Sequence, residues 1–298
     1  TLINAGLNKY LFEMANIRNQ DSWVHKNNPE FATKKAKDLV RMAVSKVTLM
    51  EPLKETELEV NQTAIVIGGG IAGMASAKSL ANQGYETHII ERSAELGGQA
   101  LNLCQTVTGE DIQKKLSALI KEVQRNKKIH IHLDTTISKV EGFVGNFETA
   151  LSSNGKTEDL EHGVAVIATG ASPLKPAEYS YGQDPRILTS LELDRKFLDK
   201  DPALKKINTA VFIQCVGSRE PERPYCSRVC CTHAIDNALQ LKKLNPGMSV
   251  FVLYRDIRTY GEREYIYKEA REAGVIFIRY SLENKPEVNL KDGRLLVK

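Results

Sequence analysis

The chain has 298 residues, 42% of them hydrophobic and 26% charged, with 41 basic against 37 acidic side chains and a formal charge of +4. This composition excludes disordered, collagen-like and small disulfide-stapled chains, and the length predicts two domains with cores of their own. The basic pairs, such as Lys34-Lys35 and Lys242-Lys243, are scattered, and the 6% of aromatic residues do not interleave with them, so nucleic acid is not an expected partner.

No apolar run approaches the roughly 18 residues of a membrane span, and no leader pattern is present. The sequence starts at Thr1 rather than Met, which suggests a processed chain or a piece of a longer one. Residues 1–28 read as polar and irregular and hold the single tryptophan, Trp23. Asn28 as N-cap and Pro29 at the first helical position then open a helix. Its apolar stripe runs through Phe31, Ala32, Ala36, Leu39, Val40, Ala43, Val44 and Val47, up to a stop at Pro52. A charged linker, 54–62, follows.

The central stretch predicts a strand over 63–67, a glycine turn at 68–73, a helix over 74–83 and a strand over 86–91. A helix over 111–126, a strand over 129–133, a β-meander within 140–151 and a buried strand over 164–168 come next. After a proline-rich crossover the pattern restarts, with strands at 209–214, 249–254 and 275–280 and helices at 232–243 and 262–273. The expected fold class is α/β: two Rossmann-like units with parallel sheets and a β-meander, plus an N-terminal helical extension. The expected divisions are an extension and docking helix over 1–61, the first part of a flavin-type domain over 62–176, a crossover over 177–206 and a second unit over 207–298.

Gly68-x-Gly70-x-x-Gly73 sits between a strand and a helix, and Glu91 ends the next strand. In this setting Gly68 permits the tight turn, Gly70 lets backbone approach a pyrophosphate, and Gly73 lets helix pack on strand. The helix start, Ile71-Ala72, aims free N–H groups at the phosphates, and Glu91 accepts from ribose hydroxyls. Glu91-Arg92 is followed by Gly97-Gly98-Gln99, where a glycine pair allows a second close backbone approach, and a late Ala168-Thr169-Gly170 turn follows a buried strand.

Four of the five cysteines, Cys215, Cys226, Cys230 and Cys231, fall within 17 residues. An odd total without a leader reads as an intracellular, cytoplasmic protein with a local thiol or metal site. The cluster stands where a second dinucleotide loop belongs, and only Gly217 of such a loop is present. Four soft thiolates from a short stretch, with Arg219, Arg223 and Arg228 among them, suit a [4Fe–4S] cluster. Zinc, a redox dithiol and four unligated buried thiols remain open; adjacent cysteines are awkward for tetrahedral zinc. Cys104 has no second cysteine near it and reads as a small buried residue.

The glycine loop, Glu91, the Gly97-Gly98 pair and the 164–170 run together resemble the two-dinucleotide-binding flavoproteins, which include thioredoxin reductase. That resemblance implies FAD as the cofactor. It places Gly68, Gly70, Ile71, Ala72, Gly73, Glu91, Arg92, Gly97, Gly98, Gln99, Ile137, Ala168, Thr169 and Gly170 at the flavin nucleotide. More specifically, Leu11-Phe-Glu-Met-Ala-Asn-Ile-Arg18, Ser22-Trp-Val-His25, Lys35-Ala-Lys-Asp-Leu-Val-Arg41, Gln214-Cys-Val-Gly-Ser-Arg219 and Pro224-Tyr-Cys-Ser-Arg-Val-Cys-Cys231 resemble the family of flavin-bearing HdrA components of heterodisulfide reductases.

The resemblance implies that Cys215, Cys226, Cys230 and Cys231 hold a [4Fe–4S] cluster. It also implies that electron pairs from a hydrogenase or formate dehydrogenase are split between ferredoxin and a disulfide-reducing subunit, in a larger complex. Two other readings stay open: a stand-alone NAD(P)H-dependent flavin disulfide reductase, and a non-catalytic relay subunit.

This sequence departs from the family pattern at Asp21, which stands where the family carries a cysteine before Ser-Trp-Val-His; it also stops at Lys298, before the family's final segment that caps the flavin, and so reads as a fragment or as a chain that needs a partner to finish the flavin site. Retention of FAD is therefore expected to be weaker than in a full-length relative. His233, after the cysteine pair, reads either as a donor to a cluster sulfur or as structural. Arg255 and Arg258 read as partner or inter-domain contacts. His25, His88, His130 and His132 read as structural.

Overall fold

The computed structural model describes residues 2–298. The chain divides into two compact units, Thr1–Glu59 and Val60–Lys298. In the first, Arg18–Ser22 forms a π-helical turn and α1 runs Pro29–Thr48. The Asn28 side chain accepts from the Phe31 N–H at 3.2 Å, and Pro29 occupies the first position, so the predicted start is met. The helix ends at Thr48, ahead of Pro52.

None of the α1 residues is buried, so its apolar stripe contributes little, and the cap carries an unusual share of the helix's stability. Asn28→Ala should cost about 1 kcal/mol, or roughly fivefold faster amide exchange over residues 30–34. Exchange at the parent rate in those amides would count against this.

The second unit opens on β1 (Ala64–Ile67), α2 (Ile71–Asn82) and β2 (Thr87–Ile90), followed by α3 (Ile112–Arg125) and β3 (Ile129–His132). β4 (Thr135–Phe143), β5 (Asn146–Ser153) and β6 (Lys156–His162) form the antiparallel meander, one strand longer than the alternation suggested. β7 (Val164–Ile167) then returns to pair with β1, giving a parallel sheet in the order β3-β2-β1-β7.

The strands are short runs of β-branched and small apolar residues joined by helical crossovers, the pattern that makes a parallel sheet. Val66, Ile89 and Ile129 of the sheet bury against Met74 and Ala77 of α2 and Leu116 and Val123 of α3.

α4 (Ser190–Leu198) lies in the crossover that sequence reading left without structure. A capping box starts it: Thr189 accepts from the Glu192 N–H, and the Glu192 carboxylate accepts from the Thr189 N–H at 2.7 Å. The second parallel sheet, β10-β9-β8, is built from β8 (Thr209–Ile213), β9 (Ser249–Tyr254) and β10 (Ile276–Arg279), with α5 (Cys230–Leu244) and α6 (Glu264–Glu272) as crossovers. Ile235, Ala238 and Leu241 of α5 pack on Val250 and Val252. The hairpin β11 (Val288–Lys291) and β12 (Arg294–Val297) follows, turning at Asp292-Gly293. No described helix is long and apolar enough to cross a membrane.

Candidate functional site

The first glycine loop is built by backbone crowding. Gly68 has φ +109°, and a Cβ there would run into the Ala168 carbonyl; one at Gly73 would run into the Gly68 carbonyl. Both positions therefore exclude a side chain. Gly70 differs, because a Cβ there meets no atom within 4 Å, so an open space lies in front of it. Gly70 is also the residue before α2, where the first N–H groups lack intrahelical acceptors. An open space at the start of a helix, bounded by glycine, is what a pyrophosphate requires.

The second glycine turn comes to the same place. Gly97 bridges to Gly70, and the Gly97 N–H donates to the Gly69 carbonyl at 2.9 Å. Gly98 would bring a Cβ within 3.2 Å of the Gly70 Cα. Ala168 closes the other side, its N–H donating to the Ile67 carbonyl. Gln99 Nε2 donates to the Ala171 carbonyl at 3.2 Å, which ties the Gly97-Gly98 turn to the segment after β7.

Glu91 is buried at 8% exposure, and its carboxylate accepts from the Gly69 N–H at 2.6 Å and the Ser93 N–H at 2.9 Å. Ile71, Ala72, Arg92, Thr169 and Gly170 are exposed. Ile137 lies in β4 at the start of a bulge, two residues after Thr135, whose N–H donates to the Glu91 carbonyl. Glu91→Gln removes a charged acceptor and should weaken FAD binding about tenfold or more in a flavin fluorescence titration. An unchanged affinity would remove Glu91 from the site.

Cys215 and Cys226 lie in the connection between β8 and α5, and Cys230 and Cys231 open α5. Cys215 follows β8 with φ +61°, and Gly217, Arg219 and Arg228 also have positive φ, between +59° and +63°. This turn-rich backbone aims donors at sulfur. The Arg228 N–H donates to Cys226 Sγ at 3.3 Å, Arg219 Nη1 faces Cys215 Sγ at 3.9 Å, and Ser227 Oγ meets Cys230 Sγ at 3.5 Å.

Cys230 and Cys231 form the first turn of α5, two residues earlier than the sequence pattern suggested. A hydrogen bond from the Cys231 thiol, helped by Ser227, pulls Cys230 down to about 5. The Cys231 thiol is pushed up by that same bond and by burial, and its Sγ lies 3.6 Å from the Asp256 carbonyl oxygen.

Sequence reading missed the clamp behind this loop. Arg255 Nη1 donates to the Arg219 carbonyl at 2.7 Å and the Ser218 carbonyl at 3.4 Å, which makes it an internal strut. Asp256 pairs with Arg219 at 2.5 Å and Arg279 at 3.3 Å, and the Arg219 guanidinium holds its carboxyl below the usual range. The Tyr280 hydroxyl donates to the Gln214 carbonyl. His233 Nε2 lies 2.6 Å from Asp194 Oδ2 of α4, not on a sulfur.

Among the described residues no three His, Cys, Asp or Glu side chains converge to hold a single metal ion. A cluster asks for thiolates spaced around a larger body. Soft sulfurs, N–H donors to sulfur and nearby guanidinium groups fit that demand. In the first unit, Asp21 is 2% exposed with Oδ1 unpartnered, and His25 Nε2 lies 3.0 Å from Lys35 Nζ.

Residues 62–210, half of the chain, match the family model described as pyridine nucleotide-disulphide oxidoreductase. The chain is 31% identical over 368 residues to the HdrA component of the H(2):CoB-CoM heterodisulfide,ferredoxin reductase of Methanothermobacter marburgensis, covering 92% of this chain and 56% of that protein. It is 30% identical to an iron-sulfur HdrA component of the CoB–CoM heterodisulfide reductase of Methanopyrus kandleri, with the same 92% and 56% covered. This chain thus spans about half the length of these relatives. The 368 aligned positions also exceed its 298 residues, so at least 70 positions of the alignment have no counterpart here.

Lactococcus lactis thioredoxin reductase shares the fold, with a TM-score of 0.50 at 18% identity over 80% of this chain and 74% of that one. The resemblance to the HdrA component of heterodisulfide reductase drawn from the motifs thus extends along nearly the whole sequence. With the glycine loop, the returning β7 and the second sheet in place, the chain belongs to the pyridine nucleotide-disulphide oxidoreductase family.

Proposed function

We propose that this chain is an FAD- and [4Fe–4S]-dependent electron-transfer module of a heterodisulfide-reductase-type complex. In this reading, electron pairs arrive from a hydrogenase or formate dehydrogenase partner and are split between ferredoxin and a disulfide-reducing subunit. The observation that carries it is the second sheet. Where a nicotinamide loop belongs, the βα turn instead presents Cys215, Cys226, Cys230 and Cys231 on a backbone that turns N–H and guanidinium donors toward sulfur.

The flavin supplies exchange between two-electron and one-electron chemistry when bound, and the cluster supplies a one-electron relay. The chain's own part is positional. Gly70 and the start of α2 receive the pyrophosphate, Glu91 the ribose, and Ala168-Thr169-Gly170 close the site. Arg255, Asp256 and Tyr280 hold the cysteine turn rigid, so that electron transfer need not wait on loop motion.

A reductive titration tests the reading. The anaerobically reconstituted chain should accept about three electrons, two at the flavin and one at the cluster. Uptake of two electrons, with bleaching by NADPH, would favour a disulfide reductase. One electron without flavin would favour a relay role.

A further inference from the structure

Three of the chain's six histidines assemble at one edge of the first parallel sheet. His88 on β2 is in register with His130 on β3, and their rings stack with centroids 4.6 Å apart. His88 also stacks on His132 at 5.2 Å, and its Nδ1 lies 2.9 Å from His132 Nε2. That contact needs one nitrogen to donate and the other to accept, so it holds with neutral rings and fails when both rings are charged.

The surroundings supply little compensation for a positive His88. Glu86 is the nearby carboxylate, and it is already shared between His130 Nε2 and Lys128 Nζ, both at 3.0 Å. From the meander, His162 of β6 adds a further positive influence on His88, and Glu158 acts on His132. His162 is itself 1% exposed, with Nε2 on Thr149 Oγ1 at 2.7 Å.

The stack is wired to the dinucleotide loop through the backbone. The carbonyl of His132 accepts from the Glu91 N–H at 2.9 Å, and the Thr135 N–H returns to the Glu91 carbonyl at 3.0 Å. The Asp134 N–H donates to the Ser93 carbonyl at 3.1 Å. The end of β3 therefore laces Glu91 into place, and the Glu91 carboxylate in turn holds the Gly69 N–H. We propose that the His88–His130–His132 stack is an acid-sensitive catch: protonation of both His88 and His132, which leaves their contact without an acceptor, loosens β3 from β2, frees Glu91 and so releases the dinucleotide loop. The consequence for flavin rests on the reading above; the loosening of the loop does not.

Burial, then the charges of His130 and His132, push His88 down from 6.5 to about 4, and burial also pushes His132 and His162 down. A histidine depressed in the folded state lowers stability once pH falls below its unfolded value, because the loosened state binds the proton better. For His88 alone the closed state loses about twentyfold against the open one between pH 7 and pH 5.

The test is amide exchange of Gly69 and Glu91 in the full chain free of FAD, corrected for intrinsic pH dependence, from pH 7.5 to pH 5. The opening constant should rise about twentyfold in the parent and clearly less in His88→Gln. His132→Gln serves as a second variant should the first fold poorly. Equal pH dependence in parent and variants would overturn the catch, as would protected Gly69 and Glu91 while β3 amides open. A parallel FAD titration should show affinity falling over the same range. No FAD binding at any pH would defeat the flavin reading while leaving the exchange result to decide the catch.

Discussion

Gly70→Ala should leave the fold intact and remove flavin binding, whereas Gly73→Ala should damage both. The two positions belong to one motif and lie three residues apart, yet their surroundings are opposite. A Cβ at Gly73 collides with the Gly68 carbonyl, a backbone atom that cannot swing aside, so helix α2 must lift from strand β1. Overpacking of this kind costs about 1–3 kcal/mol, and more where backbone meets backbone. At Gly70 the backbone lies at φ −74°, open to any residue, and the added methyl meets nothing within 4 Å.

The stability cost at Gly70 is then about that of a poorer helix cap, of order 1 kcal/mol or less. The methyl instead takes up the open space in front of Gly70, which the proposed function assigns to a phosphate. Thermal melts with flavin fluorescence titrations separate the two. Retained affinity in folded Gly70→Ala would mean that the space in front of this residue is not the pyrophosphate site.

Loss of Cys226 should strip the chain of most of its iron, while loss of Cys104 should leave iron at the parent level. Cys226 sits in the turn whose Arg228 N–H points at its sulfur, and it is the candidate ligand between Cys215 and the Cys230-Cys231 pair. Removing one of four thiolates leaves an iron corner without its ligand. Cys104 lies in a different environment. Burial and the nearby Asp194 carboxylate push its thiol up, which disfavours the thiolate a metal needs. Iron and sulfide analysis of the two variants, each purified anaerobically, decides the matter. Equal iron in Cys226→Ala and parent would remove that residue from the ligand set.

The architecture was legible where sequence signals are local. Strand β1, the glycine turn, α2 and β2 follow from alternation of short apolar runs with glycine punctuation, and each boundary falls within a few residues of its expected place. Two elements that were overlooked also carry local signals. Thr189-x-x-Glu192 is a capping box for α4, and Asp292-Gly293 between two short apolar stretches is a hairpin turn.

The site was legible only in part. The glycines and cysteines announce themselves through spacing, but the clamp of Arg255, Asp256 and Tyr280 depends on three strands ending side by side. No one-dimensional pattern encodes that arrangement. His233 illustrates the same limit: its neighbours in sequence are cysteines, while its partner in space is Asp194, 39 residues away. The stack of His88, His130 and His132 likewise exists only because β2 and β3 pair in this register.

The most direct test of the central claim is a count of iron, sulfide and flavin in the anaerobically purified and reconstituted chain. The account predicts about four irons and four sulfides per chain, together with FAD that is bound in solution and released on denaturation. Flavin without iron would contradict it, because the cysteine turn on the second sheet would then be serving some purpose other than a cluster.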